Sequence, residues 1–199
     1  MVLPIYTYGQ PVLRERAVPV DPDASDFDRE AFRQLLDDMV ETMHEANGIG
    51  LAAPQVGRSL RVFVIDLTPY ADDIAEELGG EVPAWATRPL ALVNPEIAPV
   101  DNAEDEAFEE GCLSIPELRD DVVRPEAVRL RYLDAETFEP VEMTARGMLA
   151  RVVQHELDHL DGVLFVDYLS GLRKRMLRRR LRRMADGDVE AEYPIQPPV

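Results

Sequence analysis

Between residues 26 and 46 the apolar positions recur at helical spacing. Phe32, Leu35, Leu36, Met39, Val40 and Met43 stand at i, i+3, i+4, i+7, i+8 and i+11 and so share one face. The spacing predicts an amphipathic helix, with Asp26 as its N-cap and Asn47-Gly48 as its stop. The period then changes. Glycines punctuate GIGLAAPQVG at 48–57, and the apolar run at 61–67 reads as a buried strand. Residues 68–89 are acidic and broken by Pro69, Gly79, Gly80, Pro83 and Pro89, which predicts a surface excursion with one short helix. A second strand is expected over 90–97. Residues 101–110 carry six carboxylates and lead into EGCLSIPE at 110–117, which Gly111 and Pro116 mark as turn-rich. Val128, Leu130 and Tyr132 alternate with Arg129 and Arg131, the pattern of a half-buried strand, and 138–145 reads as its neighbour. Residues 146–160 are helical in pattern and 163–166 strand-like. A basic amphipathic helix is expected over 171–184, and a polar, proline-containing tail follows. Strands and helices that mix without βαβ alternation predict an α+β fold.

Composition narrows the class. At 199 residues, 46% apolar and 30% charged, the chain is long enough to bury one core without disulfide staples. That balance excludes disordered, collagen-like and membrane-spanning classes, and no apolar run approaches the roughly 20 residues of a membrane helix. The opening MVLPIYTYGQPVL has neither the basic start nor the apolar stretch of a signal peptide. The one cysteine, Cys112, excludes an internal disulfide and points to a reduced thiol or a ligand in a cytoplasmic protein. A net charge of −18 argues against DNA or any general nucleic-acid partner, and no membrane partner is expected.

The strongest chemical signal is His155-Glu156-Leu157-Asp158-His159. Four residues are just over one helical turn, so both imidazoles leave one face and can hold one ion. Glu156 lies about 100° round the helix from His155, placed to move a proton without being a ligand. Spacing alone leaves the third ligand open. A third histidine six residues on is excluded, because position 165 is Phe. Glu190 and Glu192 lie in the polar tail, a poor place for a rigid ligand. Cys112 is the sole thiol, although a lone cysteine also serves as a small buried hydrophobe. His44 ends the first helix, where a surface or capping histidine is the simpler reading.

Three blocks resemble, in order and spacing, those of the peptide deformylases: GIGLAAPQVG (48–57), EGCLSIPE (110–117) and QHELDHLDG (154–162). The opening LPIYTYGQPVLR is similar too, so the resemblance spans roughly residues 3–170. It implies antiparallel sheets packed around a central helix that carries HExxH, plus a C-terminal helix. It implies Cys112, His155 and His159 as metal ligands, Glu156 as general base and acid, and Gln55 as an oxyanion donor. The implied substrate is the N-formyl-methionyl end of a nascent polypeptide, with formate released. Fe(II) is the implied metal, while zinc, nickel and cobalt accept the same nitrogen and sulfur donors.

The residues themselves add to this list. The backbone N–H of Leu113 follows the ligand Cys112 and is a second oxyanion donor. Ile49 and Gly50 can pair with an extended peptide as an added strand. Glu110 and Arg119 flank the cysteine block as supporting or site-entrance residues. Ile49, Val152 and the first turns of the 146–159 helix are expected to line a methionine-sized pocket. The expected division is a catalytic metallohydrolase domain over 1–168, a basic helix over 169–187 and a polar tail over 188–199. The 171–184 segment holds eight basic residues and no acidic one. A contact with ribosomal RNA is therefore weighed against docking on the chain's own acidic body.

Two other functions fit parts of the pattern. An HExxH peptidase with Cys112 incidental would cut internal peptide bonds, and an inactive module would only hold peptide ends. Intact Gln55, Cys112, His155, Glu156 and His159 favour an enzyme over the module. The charge balance points to the setting. Lys174 is the only lysine among 21 basic residues, and 39 residues are acidic. A GC-rich genome accounts for arginine in place of lysine but not for the acid; a salt-adapted bacterial host accounts for both. Self-repulsion of the −18 charge should then destabilise the fold at low ionic strength, and screening should relieve it. The melting temperature is expected to rise with added salt; a flat response from low to molar salt would leave only the genomic explanation.

Overall fold

The computed structural model describes residues 1–198, the side chain of Glu77 excepted. Its first helix, α1 (Arg29–Glu45), starts at Asp28, not at the expected Asp26. The Asp28 carboxylate accepts from the backbone of Glu30 and Ala31, both at 3.0 Å, a cap worth about 1 kcal/mol. Phe27, just before the cap, packs its ring 5.4 Å from that of Phe32 in the second turn. This hydrophobic staple sets the entry angle of the chain and so the first residue of the helix. Phe32, Leu36, Met39 and Met43 are buried, as the helical spacing predicts.

A five-stranded antiparallel sheet follows the order β2 (Gly50–Ala52), β3 (Val62–Ile65), β4 (Leu90–Pro99), β7 (Ala127–Asp134), β8 (Pro140–Arg146). All four residues of β3 are buried because the strand is covered on both faces. Val62 and Val64 point toward α1, while Phe63 and Ile65 point toward α3 (Gly147–Leu160), which carries HExxH. A strand covered on both sides reads as a continuous apolar run, which is why 61–67 is legible without alternation. Each such buried side chain contributes about 1.5–3 kcal/mol.

Against the outer side of α3 lies a two-stranded hairpin, β5 (Asp105–Cys112) and β6 (Ile115–Pro125), turned through Leu113 and Ser114. The sequence pattern marks this region only as acidic and turn-rich. Most of β5 is exposed, so charged residues occupy both of its faces and no apolar alternation betrays it. Residues 163–166, expected as a strand, have no strand partner among the described residues and close into a 3₁₀ turn at Phe165–Asp167. Asp167 accepts from the backbone of Leu164 at 2.9 Å and draws the turn shut. The 68–89 excursion contains a short helix, α2 (Ala71–Leu78), with Ile74 and Ala75 buried against the core.

The basic helix α4 (Gly171–Ala185) docks on the hairpin through Leu181 and Met184. Its Arg173 pairs with Asp120 and its Arg180 with Glu117. The chain then doubles back. β9 (Ile195–Gln196) pairs in parallel with β1 (Ile5–Tyr6), so the polar tail is tied to the opposite end of the sequence. Val199, the final residue of the expected tail, lies outside the described residues.

Charged groups join the hairpin to α3. Glu110 on β5 is 5% exposed and accepts from Arg124 Nε at 2.7 Å and Arg151 at 3.2 Å. Arg124 on β6 also reaches Asp158 of α3 at 2.7 Å, and Arg151 of α3 donates to the carbonyls of Val122 and Glu106. Burial alone would raise the Glu110 pKa. Hydrogen bonds from His155 and Arg124 outweigh it and hold the carboxyl at about 2. A carboxylate so held stabilises the fold fully above its ordinary value of 4.5, and that share is lost as pH falls toward 2. Glu110→Gln should lower unfolding free energy at neutral pH by about 3 kcal/mol, because two arginines lose a buried counter-charge. In urea titrations the gap between variant and wild type should close as pH drops through the 4.5-to-2 window. A gap that does not depend on pH would show that the charge is not what matters.

Candidate metal centre

The helical turn of α3 brings the His155 and His159 rings to 5.2 Å between centroids. The third partner arrives from the hairpin. The β5–β6 register shifts between Gly111 and Cys112, and such a bulge re-aims the side chain that follows it. Cys112 is thereby turned toward α3, with its Sγ 3.2 Å from His159 Nε2. The ligand atoms of Cys112, His155 and His159 all lie within 4.8 Å of one another. Glu110 Oε2 sits 2.9 Å from His155 Nδ1. An anionic carboxylate can only accept there, so Nδ1 carries a proton and Nε2 is the nitrogen left for the centre. Burial pushes the His159 pKa well below its ordinary value, so that ring is neutral. Burial works the same way on His155, but hydrogen bonds with Cys112 and Glu110 outweigh it and raise its pKa well above the ordinary value, so that ring holds a second proton that a bound ion would displace. With those protons released, one thiolate and two neutral imidazoles would suit a borderline divalent ion, and three protein donors leave a position open.

Glu156 stands beside this set without joining it. It is 4% exposed, burial raises its carboxyl to about 7, and Oε2 has no hydrogen-bond partner among the described residues. A buried carboxylate oxygen without a partner is costly and marks a place where another molecule is met. Gly50 makes room for it: a Cβ at Gly50 would collide with Glu156 Oε1. Gln55 is 1% exposed and uses both ends of its amide. Its Oε1 accepts from the Ala52 backbone at 2.8 Å, while Nε2 points to Ser114 Oγ at 3.2 Å and Cys112 Sγ at 3.6 Å. The backbone-capping and centre-facing readings of Gln55 therefore hold together, since the cap is what aims the amide.

A groove of about 990 Å³ opens over the centre. On one side runs β2, an edge strand of the large sheet, and on the other runs β5. Ile49, Gly50, Leu113 and Arg119 line it, with Arg119 exposed at the rim. Glu110 is different. It reaches the groove wall, but its carboxylate is wholly engaged below it by Arg124, Arg151 and His155, so it supports the centre and does not guard the entrance. Ile49 and Met148 pack against the core around Val152, and with Phe108 and Ile115 they give the groove its apolar lining. His44 stays outside the centre, exposed and 2.7 Å from Asp66.

Sequence reasoning missed Arg124, Arg151, Phe108 and Tyr193. The arginines had a usable signal, because each is buried where a strand or helix faces inward, at a position reserved for apolar residues. Tyr193 had none, since it lies in a stretch with no periodicity.

The likeness to known proteins runs through the whole chain. The family model described as polypeptide deformylase matches residues 2–175. A peptide deformylase from Salinibacter ruber is 58% identical over 196 residues, covering 98% of this chain and 94% of the relative. One from Chlorobium limicola is 44% identical, covering 100% and 97%. Among solved structures, the peptide deformylase from Thermus thermophilus has a TM-score of 0.76 at 38% identity, covering 94% of this chain and 99% of that one. That from Legionella pneumophila has a TM-score of 0.74 at 39% identity, covering 92% and 95%. The fold, the groove and these likenesses agree: this chain belongs to the polypeptide deformylase family, enzymes that remove the N-formyl group from nascent polypeptides.

Proposed function

We propose that Cys112, His155 and His159 hold a divalent ion and that Glu156, Gln55 and Leu113 hydrolyse the formyl group of N-formyl-methionyl polypeptides beside it. The observation that carries this reading is the meeting of three ligand atoms within 4.8 Å next to the unpartnered Glu156 carboxylate. When bound, the ion supplies Lewis acidity to the formyl oxygen and to an attacking water. The donor set and the family resemblance favour Fe(II), with zinc, nickel or cobalt accepted by the same residues. Metal analysis after anaerobic purification tests that choice.

The chain's own groups divide the remaining work. Glu156 takes a proton from the attacking water and delivers it to the departing amine nitrogen, so one carboxyl serves as base and then acid. The formyl oxygen gains negative charge as the carbon becomes tetrahedral. Gln55 Nε2 and the Leu113 N–H are the donors aimed at it. The substrate backbone lies extended between β2 and β5, pairing with Ile49 and Gly50 as an added strand. Its methionine side chain meets the apolar lining at Ile49, Met148 and Val152. Arg119 meets the chain at the rim. In this reading residues 1–168 form the catalytic unit and 169–187 an attachment helix, with 188–199 as its tail. The enzyme works in the cytoplasm, where its substrates are made.

Glu156→Gln should release formate from a short formyl-Met peptide about 10²- to 10⁴-fold more slowly while retaining metal. Cys112→Ser should lose both activity and metal, because a neutral hydroxyl replaces a thiolate. Loss of metal from the Glu156 variant in step with activity would make that residue a ligand. Cleavage of internal peptide bonds by the wild type would restore the peptidase reading.

The attachment helix is proposed to meet ribosomal RNA. Arg175, Arg178 and Arg179 are exposed and make no ion pair among the described residues, on the side of α4 away from Asp120 and Glu117. Arg175→Glu with Arg179→Glu should reduce co-sedimentation with ribosomes, and wild-type association should weaken steeply with salt. Turnover of a short formyl peptide should not change. Undiminished co-sedimentation would assign these arginines to the acidic body of the enzyme.

A further inference from the structure

The two residues that turn β5 into β6 sit at the most demanding point of the groove. Leu113 follows Cys112, and its N–H is one of the two donors assigned to the formyl oxygen. A two-residue turn has little structure of its own to hold that N–H in one direction. Both of its carbonyls are held from outside the hairpin. Ser114 O accepts from the backbone N–H of Tyr8 at 2.8 Å. Leu113 O accepts from the hydroxyl of Tyr193 at 2.8 Å. Ser114 Oγ in turn accepts from Gln55 Nε2, so the turn also touches the other oxyanion donor.

Tyr193 is itself well fixed. Ile5 N–H donates to Pro194 O at 2.9 Å and Thr7 N–H to Gln196 O at 3.2 Å, on either side of the β1–β9 pairing. Gln10 Nε2 donates to Pro197 O at 2.8 Å. The Tyr193 ring is half-buried against the cluster of Met43 and Leu51, with Leu113 among its partly buried neighbours. Burial raises the phenol pKa, so the hydroxyl remains a neutral donor at any working pH. The segment from β1 to Tyr8 and the segment ending in β9 thus form one clamp, with a hydrogen bond on each carbonyl of the turn.

We propose that Tyr193 is a positioning residue for deformylation, its hydroxyl holding the Leu113 carbonyl so that the Cys112-Leu113-Ser114 turn presents the Leu113 N–H to the formyl oxygen. The inference rests on the reading of Leu113 as an oxyanion donor. It extends the working part of the chain beyond residues 1–168 to a segment that lies after the basic helix. Oxyanion donors act when they stand within about 2.7–3.1 Å of where the charge develops, so a loosened turn weakens the transition state more than the bound substrate. The effect belongs in kcat.

Tyr193→Phe keeps the ring and removes only the donor. With the metal-loaded enzyme and a short formyl-Met peptide, kcat should fall about five- to tenfold and KM should stay within about twofold. Metal content and the unfolding midpoint should match wild type. In ¹⁵N spectra, the Leu113 amide should exchange faster in the variant while amides of β3 do not. An unchanged kcat, or a rise in KM alone, overturns the proposal, because Tyr193 would then be only a groove wall. A fall in activity that tracks a fall in unfolding midpoint overturns it as well, by making the role one of packing. The wild type run alongside separates the two levels. If it releases no formate, the proposed function fails and this inference with it; if it does and the variant equals it, only this inference fails.

Discussion

Glu110 accepts from Arg124, Arg151 and His155 at once, and these four side chains belong to two different layers. The hairpin contributes Glu110 and Arg124; the helix contributes Arg151 and His155. A buried carboxylate with one partner would be costly, since desolvation of each ion amounts to several kcal/mol. Three donors and the second carboxylate of Asp158 make the cluster self-sufficient. The same hydrogen bond that completes the cluster fixes the His155 tautomer, so the electrostatics of the layer contact and the orientation of a metal-facing imidazole are one arrangement. Cys112 follows Glu110 by two residues, and its distance from the histidines is inherited from this junction.

The contrast with the surface charge is one of magnitude. Most of the acidic residues behind the −18 balance lie in water, where a pair is worth about 0–1 kcal/mol and salt screens it. Arg180–Glu117 on the basic helix is of this kind, while Arg173–Asp120 is partly buried beside the apolar contacts of Leu181 and Met184 that hold that helix down. The few buried charges decide geometry, and the many exposed ones decide how the protein behaves in solution.

What was legible in the sequence follows from this division. The α1 stripe, the β3 run and HExxH were visible because each obeys a local period or a fixed spacing. The β5–β6 hairpin was not, since a ribbon exposed on one face and carrying functional groups on the other has no apolar alternation to show. The helix start was misplaced by two residues because the staple between Phe27 and Phe32 is completed by Phe138, a tertiary contact, and Asp26 and Asp28 look alike as caps. Val163 to Val166 has the composition of a strand but no strand beside it to pair with. The meeting of Cys112 with His155 and His159 was reachable from motif spacing and resemblance. The charge cluster beneath it was missed because Arg124 and Arg151 were read by residue type, although each stands where its strand or helix faces inward.

The pairing of β1 with β9 joins stretches nearly a chain length apart, Ile5 with Ile195. Contacts of such long range carry the highest loop-closure cost and form late in folding. During synthesis, β9 leaves the ribosome after every other strand. The hydrogen bond that holds the Leu113 carbonyl therefore cannot form until Tyr193 has been made, after all the strands of the large sheet and of the hairpin. A segment fused after residue 199 would start three residues from that strand pair, whereas the same segment in an exposed loop would load no contact of this range.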